Sequence, residues 1–211
     1  MKVLVGLDRD GTINFDPGYL GRDENWRDQV RLLHGVSEGI RMLKSEGLNV
    51  VVTSNQSGVA REFFDCERVR EVNDYIDSLL REEGALVDGW YSCPYVGFKY
   101  AGEKRVRKDS IWIRETDLRK PGIGMLRVAC DDLRLKLEET GIYYVGDHLS
   151  DVEYGLNAGG NGVLVLIGDG KKGEDSVRRL AEKYPGRVDI ADCFCSAADW
   201  IIADVQKRNG R

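Results

Sequence analysis

Cysteine is scarce in this chain, and it is unpaired. Cys66, Cys93, Cys130, Cys193 and Cys195 are odd in number, scattered and without a C-x-x-C pair, which excludes a disulfide framework. A cationic surplus is missing too, since 31 lysines and arginines face 36 acids for a net charge of −5. General nucleic-acid binding wants the opposite balance, so composition argues against it. No apolar run approaches the length that spans a bilayer, and no membrane segment is expected. Residues 1–7 run into an apolar strand with no basic segment, long apolar leader or cleavage site ahead of it. The expectation is a cytoplasmic protein with reduced thiols. Internal repeats and low-complexity tracts are also lacking, and nothing marks a second domain.

What is present is an ordinary globular composition, 42% apolar and 32% charged. Residues 1–211 are expected to form one domain with a sizeable core. Val3-Leu4-Val5-Gly6 has the length and branching of a buried strand. Similar runs predict strands at Leu48 to Val52, Trp90 to Ser92, Ile142 to Val145, Val163 to Ile167 and near 188–191. Helical spacing appears between them. Val36, Ile40, Met42 and Leu43 lie on one face with Gly47 as a stop, and Asp65 caps a helix of about eighteen residues carrying Val69, Val72, Ile76, Leu79 and Leu80. Pro121 is placed to open a helix running to about Glu139; others are expected near 174–184 and from about Ser196. Cys193-Phe194-Cys195 alternates like a strand edge and reads as packing. Strands alternating with helices predict an α/β fold, a parallel sheet covered on both faces. Two segments lack a clear period: 13–33, expected as a flap-like loop, and 93–119, expected as an insertion near the active site.

Every polar cluster of note falls at a strand end or just before a helix, where a parallel sheet places its ligand. Asp8 and Asp10 flank Arg9 directly after the first strand, and Gly11 permits a turn that draws both carboxylates to one spot. Close carboxylates repel unless a cation or a shared proton compensates. Read as a phosphoryl-transfer site, Asp8 is the nucleophile and Asp10 the general acid and base. Mg²⁺ would take Asp8 and Asp147, together with the backbone carbonyl of Asp10. Ser54 and Lys120 would hold the transferring group. Asp151, four residues past Asp147 on the first turn of a helix, would orient Lys120 or a metal-bound water. His34 and His148 read as surface or helix-cap residues, with His148 within reach of substrate or metal through its neighbour Asp147.

Asp8-Arg9-Asp10-Gly11-Thr12, Ser54, Lys120, and Gly146-Asp147 with Asp151 occur in the order of the motifs of the haloacid dehalogenase (HAD) superfamily of phosphatases, which the chain resembles over essentially its whole length. One branch is closer: histidinol-phosphate phosphatases and D-glycero-D-manno-heptose-1,7-bisphosphate 7-phosphatases. Carrying that are Asp8 to Asn14 with Gly18-Tyr19, Ser54 to Arg61, and Arg119-Lys120-Pro121-Gly122. The resemblance implies a three-layer α/β/α Rossmann-like core without a large cap domain, Mg²⁺ dependence and a small phosphorylated substrate. It also implies that Asn55, Gln56 and Arg119 touch substrate. Members of this branch commonly carry a zinc loop with one His and three Cys. Here Cys93-Pro94 stands where that loop begins, but Tyr95, Thr116 and Leu118 fill the other ligand positions. A lone Cys cannot make a four-ligand site, so no zinc is expected.

The favoured substrate is heptose 1,7-bisphosphate, with the bases at 99–108 as a second anion site or simply a solvated face. Histidinol phosphate and a nucleic-acid 3′-phosphate are the enzymatic alternatives. A catalytically silent binding protein is the alternative of another class. A monomer is expected.

Overall fold

The computed structural model describes residues 1–210. The apolar runs all become strands of one sheet: β1 (Lys2–Leu7), β2 (Asn49–Asn55), β3 (Gly89–Cys93), β4 (Thr140–Gly146), β5 (Asn161–Val165) and β6 (Val188–Ala191). Every pairing is parallel, in the order β3-β2-β1-β4-β5-β6. The helices are α1 (Val36–Ser45), α2 (Ser57–Ala60), α3 (Cys66–Glu82), α4 (Phe98–Glu103), α5 (Gly124–Asp132), α6 (Leu149–Asn157), α7 (Gly170–Lys183) and α8 (Phe194–Arg208).

Strand alternation sorts the core into two layers. Val3, Val5, Leu7, Tyr143, Val145, Val163 and Val165 face α1, α3 and α8, where Ile40, Val72, Ile76 and Ile201 close the packing. Leu4, Ile142 and Tyr144 point the other way, against Leu126 and Ala129 of α5 and Tyr154 of α6. Further along the second face, Leu164 meets Val152 and Val177. This is an α/β/α sandwich, the three-layer core that the resemblance implies. The chain winds outward from β1 to β3, then crosses back to β4 beside β1 and continues to β6. The strand order reverses between β1 and β4, and the crevice above that point is where such sheets bind ligands.

Two local expectations fail for identifiable reasons. The helix expected from Pro121 to Glu139 is only α5. Its start is delayed by a turn in which Gly122 N donates to Arg119 O at 2.8 Å and Gly124 N to Asp117 O at 2.8 Å. Arg134 ends it by adopting φ 53°, so that Leu135 N turns back to Cys130 O at 2.8 Å. A separate 3₁₀ turn, Leu137–Glu139, follows. Cys193-Phe194-Cys195 is no strand edge: Phe194 opens α8 and is fully buried, so only the packing part of that reading stands. The cap on α3 is as expected, with Asp65 Oδ1 accepting from Arg68 N at 2.8 Å. Among the described residues no helix is long and apolar enough to cross a membrane.

Gly6 connects this packing to the site. A β-carbon there would lie 2.5 Å from Cδ2 of the buried Tyr144 ring and 3.2 Å from Leu126 Cδ2. Tyr144 cannot swing aside without withdrawing its hydroxyl from Lys120 Nζ, 2.9 Å away. Gly6→Ala is therefore expected to cost about 1–3 kcal/mol of unfolding free energy and to lower turnover as well. Urea unfolding and kcat on the same preparation check both.

Candidate active site

The geometry begins at the end of β1. Asp8 N extends the ladder by donating to Val145 O at 2.9 Å, and the chain then folds over itself, with Ile13 N and Asn14 N both donating to Arg9 O (2.8 and 3.1 Å). Gly11 is required at this turn twice over. It sits at φ +82°, and a β-carbon would meet Asp147 Oδ2 at 2.2 Å. The end of β2 brings Ser54 and Asn55, and the end of β4 brings Asp147 and the first turn of α6. Lys120 arrives on the segment before α5. Asn55 clasps its backbone, with Nδ2 donating to Lys120 O (3.1 Å) and Oδ1 accepting from Lys120 N (3.0 Å).

Lys120 Nζ is the hub. Its three donors reach Asp8 Oδ1 (2.6 Å), Asp151 Oδ1 (2.7 Å) and Tyr144 Oη (2.9 Å), which is all that an ammonium can supply. Burial alone would drive the proton off Lys120. The Asp151 and Asp8 carboxylates outweigh it and hold the pKa well above its ordinary value. Asp8 is pushed the other way. Burial raises it, Lys120 offsets that only in part, and Asp151 and Asp10 add repulsion, leaving it at about 7. Asp10 is half-buried, yet Arg9, with Asn14 and Gln56 behind it, overcomes the cost of that burial and lowers its pKa.

Asp147 has both oxygens engaged, Oδ1 by His148 Nδ1 (2.7 Å) and Oδ2 by Asp169 N (2.9 Å). The hydrogen bond to Asp147 overcomes partial burial and pushes the His148 pKa up to about 9, so the acids draw a positive charge onto their neighbour. Asp147, His148 and Asp151 each offer a ligand atom within 4.8 Å of the others. A site this crowded with carboxylate oxygen suits a hard divalent cation such as Mg²⁺.

Asp8, Asp10, Ser54, Asn55, Gln56, Lys120, His148 and Asp151 line one cavity of about 340 Å³. Ser54 Oγ accepts from Gln56 Nε2 at 2.8 Å, and the same amide donates to Asp10 Oδ2 at 3.0 Å. Two predicted residues lie off this cavity. Asp147 is buried beneath it, against Gly11. Arg119 lines a neighbouring cavity, also about 340 Å³, together with Lys99 and Arg114; Lys120 borders both. The Arg119 guanidinium stacks 4.9 Å from the centre of the Tyr100 ring and donates to Tyr95 O at 3.3 Å.

The segment 93–119 contains α4, which its sequence does not announce. It is held by a small apolar cluster of Val96, Ala101 and Val106 against Ala60, flanked by Tyr100, Trp112 and Ile113. Val96 N donates to Trp112 O (3.0 Å) and Arg114 N to Val96 O (2.9 Å). The Arg114 guanidinium lies 3.6 Å above the ring of Tyr95. The bases of 99–108 divide. Lys99 faces the neighbouring cavity, while Arg107 is a solvated residue paired with Glu62 (3.1 Å) and Asp109 (2.8 Å).

Sequence reading missed Arg9, Asn14, Asn73 and Tyr144. Asn73 carries a usable signal, a polar residue in the apolar row 69-72-76-80 of α3. Tyr144 looks like any core aromatic.

Residues 4–159 match the family model described as polynucleotide kinase 3 phosphatase. The chain is 33% identical over 209 residues to the D-glycero-D-manno-heptose-1,7-bisphosphate 7-phosphatase of Thermosynechococcus vestitus, covering 98% of this chain and 99% of that one. The chain belongs to the HAD superfamily of phosphatases. This HAD phosphatase, a phosphoric monoester hydrolase, is also 35% identical over 167 residues to the D-glycero-beta-D-manno-heptose-1,7-bisphosphate 7-phosphatase of Escherichia coli, covering 79% of this chain and 80% of that one. A similar solved structure is the D,D-heptose 1,7-bisphosphate phosphatase from B. bronchiseptica, complexed with magnesium and phosphate. Its TM-score is 0.73 at 28% identity, and the match covers 97% of this chain and 99% of that one.

Proposed function

We propose that this phosphatase removes the 7-phosphate of D-glycero-D-manno-heptose 1,7-bisphosphate through an aspartyl-phosphate on Asp8. The observation that carries the chemistry is the Lys120 ammonium bridging Asp8 and Asp151 beside Asp10 on one cavity wall. An Asp8 oxygen attacks phosphorus as the bond to the sugar oxygen breaks, and that oxygen takes a proton from Asp10. Water then attacks the phosphorus of the aspartyl-phosphate, gives its proton back to Asp10 and frees Asp8. Lys120 and Ser54 hold the phosphoryl oxygens. Asn55 fixes Lys120, and Gln56 spans Ser54 and Asp10.

Asp8, Asp147 and the Asp10 carbonyl would hold Mg²⁺, with Asp147 releasing His148 to do so. When bound, the ion supplies positive charge against the phosphoryl oxygens. Residues 1–211 act as one domain and as a monomer. Asp16, Gly18 and Tyr19 of the 13–33 segment line the cavity, which supports a flap role. The neighbouring cavity with Lys99, Arg114 and Arg119 would receive the second phosphate. Arg119 would thus touch substrate there. No zinc is needed to order 93–119, since an apolar cluster does that work.

The description of the matching family favours a second substrate, a polynucleotide 3′-phosphate. The net charge of −5 and the pairing of Arg107 with acids weigh against it. Purified protein with Mg²⁺ should prefer heptose 1,7-bisphosphate over histidinol phosphate and a 3′-phosphorylated oligonucleotide by at least about tenfold in kcat/KM. Chelation should abolish turnover and Mg²⁺ restore it, with zinc well below one equivalent by elemental analysis. Highest efficiency on the oligonucleotide, falling steeply with salt, would overturn the substrate.

A further inference from the structure

We infer that Arg9 is a positioning residue for Asp10, and that Asn73 and Ser92 hold Arg9 in that task. The inference rests on the acid and base role proposed for Asp10. Arg9 is wholly buried, a costly place for a guanidinium unless its hydrogen bonds are met. They are met in one direction by a fork on Asp10, Nε to Oδ1 at 3.0 Å and Nη2 to Oδ2 at 2.7 Å. In the other direction Nη1 donates to Asn73 Oδ1 at 2.9 Å, and Asn73 Nδ2 donates to Ser92 Oγ at 3.3 Å. Arg9 is thereby tied to α3 and β3, and Asp10 is tied to Arg9.

A fork of this kind fixes the plane of a carboxylate as well as its position. Two further donors complete the shell of Asp10: Asn14 Nδ2 on Oδ1 at 3.2 Å, and Gln56 Nε2 on Oδ2. Of the four, only the donor from Gln56 belongs to a residue that lines the cavity. Gln56 also keeps a second acceptor in Ser54 Oγ. Its bond to Oδ2 is the one that can open to an incoming leaving group, while the fork keeps the carboxylate in place. Oδ2 is then the oxygen presented to the leaving group, through which a proton passes between it and Asp10. Without Arg9 the carboxylate keeps only the single donors from Asn14 and Gln56, and its plane is no longer fixed by a fork.

A leaving group that departs as a stable anion needs no proton, and an alkyl oxygen does. We therefore compare kcat/KM, which covers steps only through formation of the aspartyl-phosphate, for p-nitrophenyl phosphate and for an alkyl phosphate. Arg9→Met should lose about 100-fold on the alkyl ester and less than about fivefold on the nitrophenyl ester. Asn73→Leu, which removes only the far support, should lose roughly five- to tenfold on the alkyl ester alone. It carries the test should Arg9→Met fail to show a cooperative thermal transition. Arg9→Lys keeps the charge but not the fork, and should recover only part of the loss. Equal losses on both esters would mean that Arg9 merely holds the fold together, and would overturn the inference. Asp10→Asn, assayed alongside, separates the two readings. If it shows the ester-dependent loss and the Arg9 and Asn73 variants do not, Arg9 is not the positioner. If Asp10→Asn shows none, the role of Asp10 falls and this inference with it.

Discussion

Asp8→Asn is expected to leave a folded protein whose turnover has fallen by at least about 10⁴-fold, since an amide cannot accept the phosphoryl group and removal of a nucleophile is the largest single loss a covalent mechanism can suffer. The change is nearly isosteric, and Lys120 keeps its other two partners, Asp151 and Tyr144. The structure also sets the sign of the stability change. Asp8 is buried against Asp151 and Asp10, and its charge is answered only in part by one ammonium. In buffer containing a chelator the thermal midpoint of Asp8→Asn should equal or exceed that of the unaltered protein, because repulsion is removed with the charge. Calorimetry beside a phosphate-release assay reads both. A variant that turns over normally would end the nucleophile assignment.

Lys120→Met should be damaging on both counts. Asp8 and Asp151 would be left buried with no shared cation, and breaking a buried ion pair from one side costs about 3–5 kcal/mol. Turnover should fall by about 10² to 10³-fold, as expected when one group stabilising the transferring charge is lost. The pH dependence has a definite sign. Without the ammonium, the burial that already raises the Asp8 carboxyl acts unopposed, and it titrates higher in the folded chain than in the unfolded one. The folded state therefore loses stability as pH rises above the unfolded values near 4. The gap to the unaltered protein should be widest near neutrality and narrow as the pH falls toward that range. Denaturant midpoints measured across that range check it. A gap that stays constant would show that packing of the lysine stem, rather than its charge, is what matters.

The strands were legible because each is a short apolar run between turn signals, and the site was legible because its acids follow directly on those runs. Asp151 was reachable for a similar reason, since four residues on a helix return a side chain to the same face, and Asp151 does meet Lys120. What stayed hidden depends on pairs far apart in the chain. Asn73 interrupts the apolar row of α3, but nothing in that row tells that its partner at 2.9 Å is Arg9, 64 positions earlier. The resemblance alone suggested that Asn55 touches substrate. Asn55 lines the cavity, and its amide also clasps the Lys120 backbone, a contact that no local pattern encodes. The end of α5 was misplaced because Arg134 adopts a left-handed conformation that a glycine would have advertised and an arginine does not.

The wall formed by 93–119 has a consequence for how the molecule responds to its surroundings. Val96, Ala101 and Val106 meet Ala60 just after β2, so this segment is held against the neighbouring chain by oily contacts, with the Arg114 and Arg119 guanidiniums stacked on rings within it. Contacts of that sort weaken in the cold and strengthen in sulfate-rich solution. Chilling should therefore loosen this rim before the sheet beneath it gives way.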